Sequence, residues 1–136
     1  METIIIENDI KVFYITASSF PDGVMQAHEK LYSVVPFSTQ RRYFGISRPE
    51  NGVIIYKAAA EEINPGEAKK LGCETMVLKK GKYISETIRD FMKNTQSIAI
   101  TFQELLSNPN IDPQGYCVEW YLSKKDVRCM VRLKDE

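Results

Sequence analysis

Few side chains in this sequence can do chemistry, and the most informative is a carboxylate set among apolar and aromatic residues: Tyr116-Cys117-Val118-Glu119-Trp120-Tyr121-Leu122. The segment has the composition of a strand. Removing even a neutral polar group from water without a partner costs about 2 kcal/mol or more, and an ion costs more. Glu119 therefore needs a protein cation or a ligand. The only histidine, His28, lies in Gln26-Ala27-His28-Glu29-Lys30 and reads as an exposed or capping helical residue rather than a catalytic one. The three cysteines, Cys73, Cys117 and Cys129, are odd in number and lack CxxC spacing, which speaks against a disulfide framework or a zinc site. Cys117 shares its surroundings with Glu119, whose charge raises a thiol pKa and makes it a poor nucleophile. No phosphate loop, metal motif or nucleophile-base arrangement is visible, so neither a cofactor nor a metal is expected.

The elements that must position Glu119 fit one domain spanning residues 1–136. With 18 basic and 18 acidic residues there is no electrostatic footprint for nucleic acid. Ile4-Ile5-Ile6 is too short and too close to Glu7 and Asp9 for a signal peptide or a membrane span, so a cytoplasmic location is expected. Ile10–Thr16 reads as a strand, Val24 to about Val35 as an amphipathic helix stopped by Pro36, and Arg42–Ser47 and Val53–Ala60 as a hairpin around Arg48–Gly52. Glu74 to about Ile88 reads as strand broken by a bulge or tight bend at Lys79-Lys80-Gly81-Lys82. A helix capped by Asn94 or Thr95 then runs to Asn108-Pro109, and a hairpin joins Tyr116–Ser123 to Val127–Leu133.

Both halves thus read βαββ, about 10–60 and about 74–133. The expected fold is α+β: two pseudo-symmetric βαββ units forming one antiparallel-rich curved sheet, with two helices on one face and a ligand groove on the other. If Ser123 pairs with Asp126 across Lys124-Lys125, Trp120 faces Cys129 and Val118 faces Val131 against the helices. Cys117, Glu119 and Tyr121 then share the opposite face with Arg128, Met130 and Arg132. In that register Arg128 and Arg132 are diagonal neighbours of Glu119, so an ion pair competes with a ligand for the carboxylate.

Cys117-Val118-Glu119-Trp120-Tyr121, following a helix and a short loop, resembles the E-x-Y segment of GyrI-like small-molecule-binding domains. Tyr43-Phe44-Gly45-Ile46-Ser47, then Ile55-Tyr56-Lys57-Ala58-Ala59, then Gly81-Lys82-Tyr83 occur in the order that family has them, and the likeness extends from about Ile10 to Leu133. It implies the two-βαββ fold and a groove in which the matching glutamate, here Glu119, pairs with cationic, often aromatic, ligands. Aromatic rings beside it would add cation–π attraction of about 0.5 to 2 kcal/mol each. Tyr121 shares its strand face, Tyr56 and Phe44 are the next choices if Ser47 pairs with Val53, and Tyr43 and Tyr83 follow.

The resemblance also covers regulators that bind DNA through a separate segment. No helix-turn-helix or basic arm precedes Ile10, so no DNA-binding domain and no direct nucleic-acid contact are expected. The expected function is a stand-alone binding protein that senses or sequesters a hydrophobic, cationic or aromatic compound. A gyrase-inhibitor-like module with a protein partner is a second reading. A hydrolase of electrophilic small molecules using Glu119 as general base is a third, so an enzyme is the lesser expectation.

Overall fold

The computed structural model describes residues 1–135. Eight strands form one antiparallel sheet: β1 (Glu2–Ile6), β2 (Ile10–Thr16), β3 (Tyr43–Glu50), β4 (Val53–Glu61), β5 (Glu74–Leu78), β6 (Gly81–Ile88), β7 (Cys117–Tyr121) and β8 (Val127–Arg132). Helix α1 (Val24–Val34) follows β2, a short α2 (Glu67–Leu71) follows β4, and a 3₁₀ turn (Phe91–Lys93) leads into α3 (Gln96–Leu106). The strand order is β1-β6-β8-β7-β3-β4-β2-β5. Exchanging β1 with β5, β2 with β6, β3 with β7 and β4 with β8 reverses that order into itself, so the fold is pseudo-two-fold and β3–β7 is the seam.

The helices of the expected βαββ units are α1 and α3. Two strands were not legible as separate elements. The isoleucines of β1, too few for a membrane or signal segment, pair with β6. β5, whose sequence runs on into the second unit, lies beside β2 of the first. Each half therefore lends its leading strand to the other, and the chain crosses at Lys79-Lys80.

Strand alternation divides the side chains between two faces of the sheet. On the helix-bearing face, Phe13, Ala58 and Ala60 pack with Ala27 and Leu31 of α1, while Val127, Cys129 and Val131 pack with Phe102 and Leu105 of α3. Fully burying a leucine such as Leu31 stabilises by about 1.5–3 kcal/mol. On the opposite face, Ile6 of β1, Leu78 of β5, Phe44, Ile46, Val118 and Met130 join one cluster. Residues from both edge strands can meet there only because the sheet curls.

The hairpin registers differ from expectation in two places. In the first hairpin Glu50 pairs with Val53 and Ser47 with Tyr56, because Asn51 and Gly52 both take positive φ, 53° and 80°, the geometry of a two-residue hairpin turn. Pro49 is accommodated because β7 reaches only as far as Ser47, leaving that end of β3 free of a second ladder. In the last hairpin Glu119 pairs with Cys129 and Trp120 with Arg128. The Ser123 hydroxyl accepts from the backbone N–H groups of Lys125 and Asp126 at 3.1 Å each, which widens the turn and shifts the register by one residue. The shift turns Trp120 away from the helices and Glu119 toward them, reversing the expected faces of β7.

Candidate functional site

Glu119 sits on the central strand β7 and pairs across the seam with Gly45 of β3. Alternation places Tyr121 on the same face of β7 and Tyr56 on the same face of β4. The fully buried Tyr56 hydroxyl donates to Glu119 Oε1 at 3.1 Å and lies 3.1 Å from the Tyr121 hydroxyl. The Tyr121 hydroxyl donates to the same oxygen through a short hydrogen bond. His28 Nε2, projecting from α1, is 2.8 Å from the Tyr56 hydroxyl and 3.5 Å from that of Tyr121.

With Glu119 ionised, one proton placement satisfies the network. Both tyrosines donate to Oε1, and His28 in its Nε2–H tautomer donates to the Tyr56 oxygen. Glu119 Oε2 has no donor among the described residues.

Gly45 makes this convergence possible. A Cβ at that position would lie 2.0 Å from the Tyr56 hydroxyl oxygen and 2.9 Å from Glu119 Oε1. Aromatic rings complete the surroundings. Phe20, before α1, stacks on Tyr56 with ring centres 5.9 Å apart and remains exposed. Phe91, from the 3₁₀ turn, is tilted against Tyr121 at 5.9 Å. That turn is fastened to the β7–β8 loop by the Phe91 N–H donating to the Lys125 carbonyl and by the Arg89–Asp126 ion pair at 2.9 Å. Tyr121 touches both helix-side cores, so the cluster lies where the α1 half and the α3 half meet.

Electrostatics follow from this enclosure. Burial lifts the Glu119 carboxyl above the ordinary carboxylate range, and the two tyrosine hydrogen bonds, which favour the ion, offset only part of the lift. Burial pushes the Tyr56 and Tyr121 phenols up, and the Glu119 charge adds to both shifts. The same two causes raise the Cys117 thiol to about 11 and contribute to raising Cys129 to about 12, so neither is a thiolate at neutral pH. Desolvation lowers His28 to about 4.

A histidine depressed in the folded state costs stability once the unfolded chain protonates. Stability is therefore expected to fall as pH drops from about 6.5 toward about 4, by up to about 3 kcal/mol from this group alone. Melting temperatures across that window should decline less steeply for His28→Gln than for the wild type. Parallel profiles would show that His28 is not the group responsible.

Of the residues singled out from sequence, Glu119, Tyr121 and Tyr56 come together. Phe44 does not: the observed register sets it opposite Ala59 and Trp120 on the other face, fully buried and 6.1 Å from the Trp120 ring. Tyr83 is also on that face, donating to the Lys79 carbonyl, and the Tyr43 hydroxyl accepts from the Ser38 N–H at 2.8 Å. The two arginines expected beside Glu119 are elsewhere. Arg132 pairs with Asp112 at 3.0 Å and Asp135 at 2.8 Å, and Arg128 lies over the Trp120 ring at 5.1 Å. Among the described residues Glu119 has no ion-pair partner.

Four contributors escaped the sequence reading: His28, Gly45, Phe20 and Phe91. His28 had a usable signal, since Val24, His28, Leu31 and Val35 recur at i, i+4, i+7 and i+11 and place the imidazole on the inward stripe. Phe20 and Phe91 lie outside the regular helices and strands, where periodicity carries no information.

No family model matches the chain, and no curated protein matches its sequence. Solved structures do match. An integron cassette protein from the mobile metagenome of Vibrio cholerae superposes with a TM-score of 0.70 at 14% identity, covering 98% of this chain and 95% of that one. A protein solved bound to tetraphenylphosphonium gives a TM-score of 0.65 at 11% identity, covering 98% and 93%. A putative bacterial transcription regulation protein from Staphylococcus aureus gives 0.63 at 12% identity, covering 99% of each. At these identities the likeness establishes a shared fold, one that includes a transcription-regulator-like protein and a binder of a cationic aromatic ligand.

Proposed function

We propose that this chain is a GyrI-like small-molecule-binding domain of the effector-binding type, which takes a hydrophobic, cationic aromatic compound with Glu119 as its counter-ion. The observation that carries this reading is the state of Glu119. It is drawn largely out of solvent, lifted in pKa, held through Oε1 by two tyrosines, and left without a cationic partner among the described residues. A fold retains such an uncompensated group at a cost. A bound cation offsets that cost by keeping the carboxylate ionised, and aromatic walls supply contact area and cation–π attraction.

Division of labour follows from the geometry. Tyr56 and Tyr121 fix the orientation of the carboxylate and leave Oε2 for the ligand. His28 braces Tyr56. Phe20 and Phe91 stand beside the two tyrosines as rings against which a planar or multi-ring cation can pack. The tetraphenylphosphonium found in one structural neighbour has this chemistry, which makes it a suitable probe.

Isothermal titration with tetraphenylphosphonium and with neutral triphenylphosphine oxide tests the reading. The cation is expected to bind at least about tenfold more tightly, a preference of about 1.4 kcal/mol, and Glu119→Gln should abolish the preference while leaving the neutral compound unaffected. Equal binding of the two compounds by the wild type would remove Glu119 as the basis of recognition.

A further inference from the structure

The opposite face of the sheet carries a separate cleft of about 330 Å³ whose lining includes Ile4, Ile6, Arg42, Trp120 and Arg128. That volume is at the lower end for small-molecule sites. Trp120 and Arg128 form a cross-strand pair on β7 and β8, and alternation turns both away from Glu119 and its tyrosines. The guanidinium of Arg128 lies 5.1 Å from the Trp120 ring centre, and that of Arg42 lies 5.8 Å from it.

The two arginines differ in one respect that matters. Arg42 is neutralised by Glu61 through a bidentate contact, with Nη2 at 2.8 Å and Nε at 3.1 Å. Arg128 has no carboxylate partner among the described residues, and its Nε is buried with no hydrogen-bond acceptor. The Nε of Arg41 is orphaned in the same way, but its terminal nitrogens are held by Glu67. Arg128 lines the cleft with no carboxylate of its own, and a carboxylate accepting from its terminal nitrogens is the group that matches an uncompensated guanidinium. Glu7 and Asp9 also line the same cleft, and Asp9 already accepts from the Lys80 N–H at 2.8 Å. Their negative charges disfavour a dianion and confine the anionic end of a ligand to the Arg128 side. Ile4, Ile6 and the Trp120 ring offer apolar surface to the remainder.

We propose that this cleft is a second ligand site, distinct from the Glu119 cluster, for a small carboxylic acid with an apolar body, held by Arg128 and packed against Trp120. The two sites would then select opposite charges from opposite faces of one sheet.

Trp120 is the only tryptophan in the chain, so its intrinsic fluorescence reports the cleft directly. Titration of the full chain with cyclohexanecarboxylate should give a saturable change in that fluorescence. Cyclohexanecarboxamide, which lacks the charge, should bind at least about tenfold more weakly. Arg128→Gln should weaken carboxylate binding at least about tenfold, and Arg128→Lys, which keeps the charge and loses the fork, should fall between the two. Glu119→Gln should leave the titration unchanged, which separates this site from the cation site whatever becomes of the latter. A non-saturating response, an equal response to the amide, tighter binding of cyclohexyl phosphate than of the carboxylate, or wild-type affinity in folded Arg128→Gln would each overturn the proposal.

Discussion

Gly45→Ala is expected to lower the unfolding free energy by about 2–5 kcal/mol. About 1–3 kcal/mol comes from forcing atoms into filled space, and the rest from the hydrogen bonds that Tyr56 must surrender. Glycine is required here for a close approach and not for backbone freedom. The added methyl would stand 2.0 Å from the Tyr56 hydroxyl oxygen and 2.7 Å from the ring carbon that bears it, distances that no rotamer adjustment of a methyl can relieve. Tyr56 is fully buried beneath α1, so its ring has little room to retreat. Combining Gly45→Ala with Tyr56→Phe removes the closer of the two clashes and should recover part of the loss. Urea denaturation of the four proteins in the cycle gives the coupling directly. Additive effects would mean that the Tyr56 hydroxyl does not occupy the space that Gly45 leaves open.

Glu119→Gln is expected to have the opposite sign, raising stability at neutral pH while weakening the binding of a cation. A carboxyl whose pKa is raised on folding binds its proton more tightly in the native state than in the unfolded chain. Its contribution to stability is therefore most favourable below about 4.5 and becomes unfavourable as pH rises through the folded-state pKa. Glutamine keeps an oxygen that can accept from Tyr56 and Tyr121 and carries no charge to desolvate. The variant should be more stable than the wild type at pH 7–8 by about 1 kcal/mol or more, with the difference shrinking toward pH 4. Melting curves across that range measure it. A variant less stable than the wild type at every pH would mean that Glu119 is already compensated inside the fold. Stabilisation together with loss of cation affinity is the pattern expected where a binding residue is kept at the expense of the fold.

The fold was legible because its largest elements announce themselves by period. The strand Ile10–Thr16 and the stripes carried by Leu31 on α1 and by Phe102 and Leu105 on α3 follow simple alternation or helical spacing, and the repeated order of elements suggested the paired architecture. What failed was register, which depends on single turn residues. Asn51-Gly52 did contain the two-residue turn signal. The Ser123 hydroxyl, by contrast, widens the last turn through a local bond to backbone that composition does not mark. One residue of slip on β7 moved Glu119 from the face without helices to the face beneath them, and with it changed its neighbours from arginines to tyrosines. Phe44 was misplaced by the companion error in the first hairpin. The E-x-Y spacing of Glu119 and Tyr121 survived both errors, because residues two apart on a strand share a face in any register. The crossing of β1 and β5 between the halves was out of reach, since it rests on contacts as distant as Glu2 with Ser85.

A crystal structure of the chain with tetraphenylphosphonium tests most directly whether Glu119 is the counter-ion of a cation site. The phosphorus centre is expected within about 6 Å of the Glu119 carboxylate, on the helix-bearing face, with phenyl groups packed against the rings of Tyr56, Tyr121, Phe20 and Phe91. Finding the cation only elsewhere, or finding Glu119 paired with a side-chain cation and out of the ligand's reach, would contradict that role.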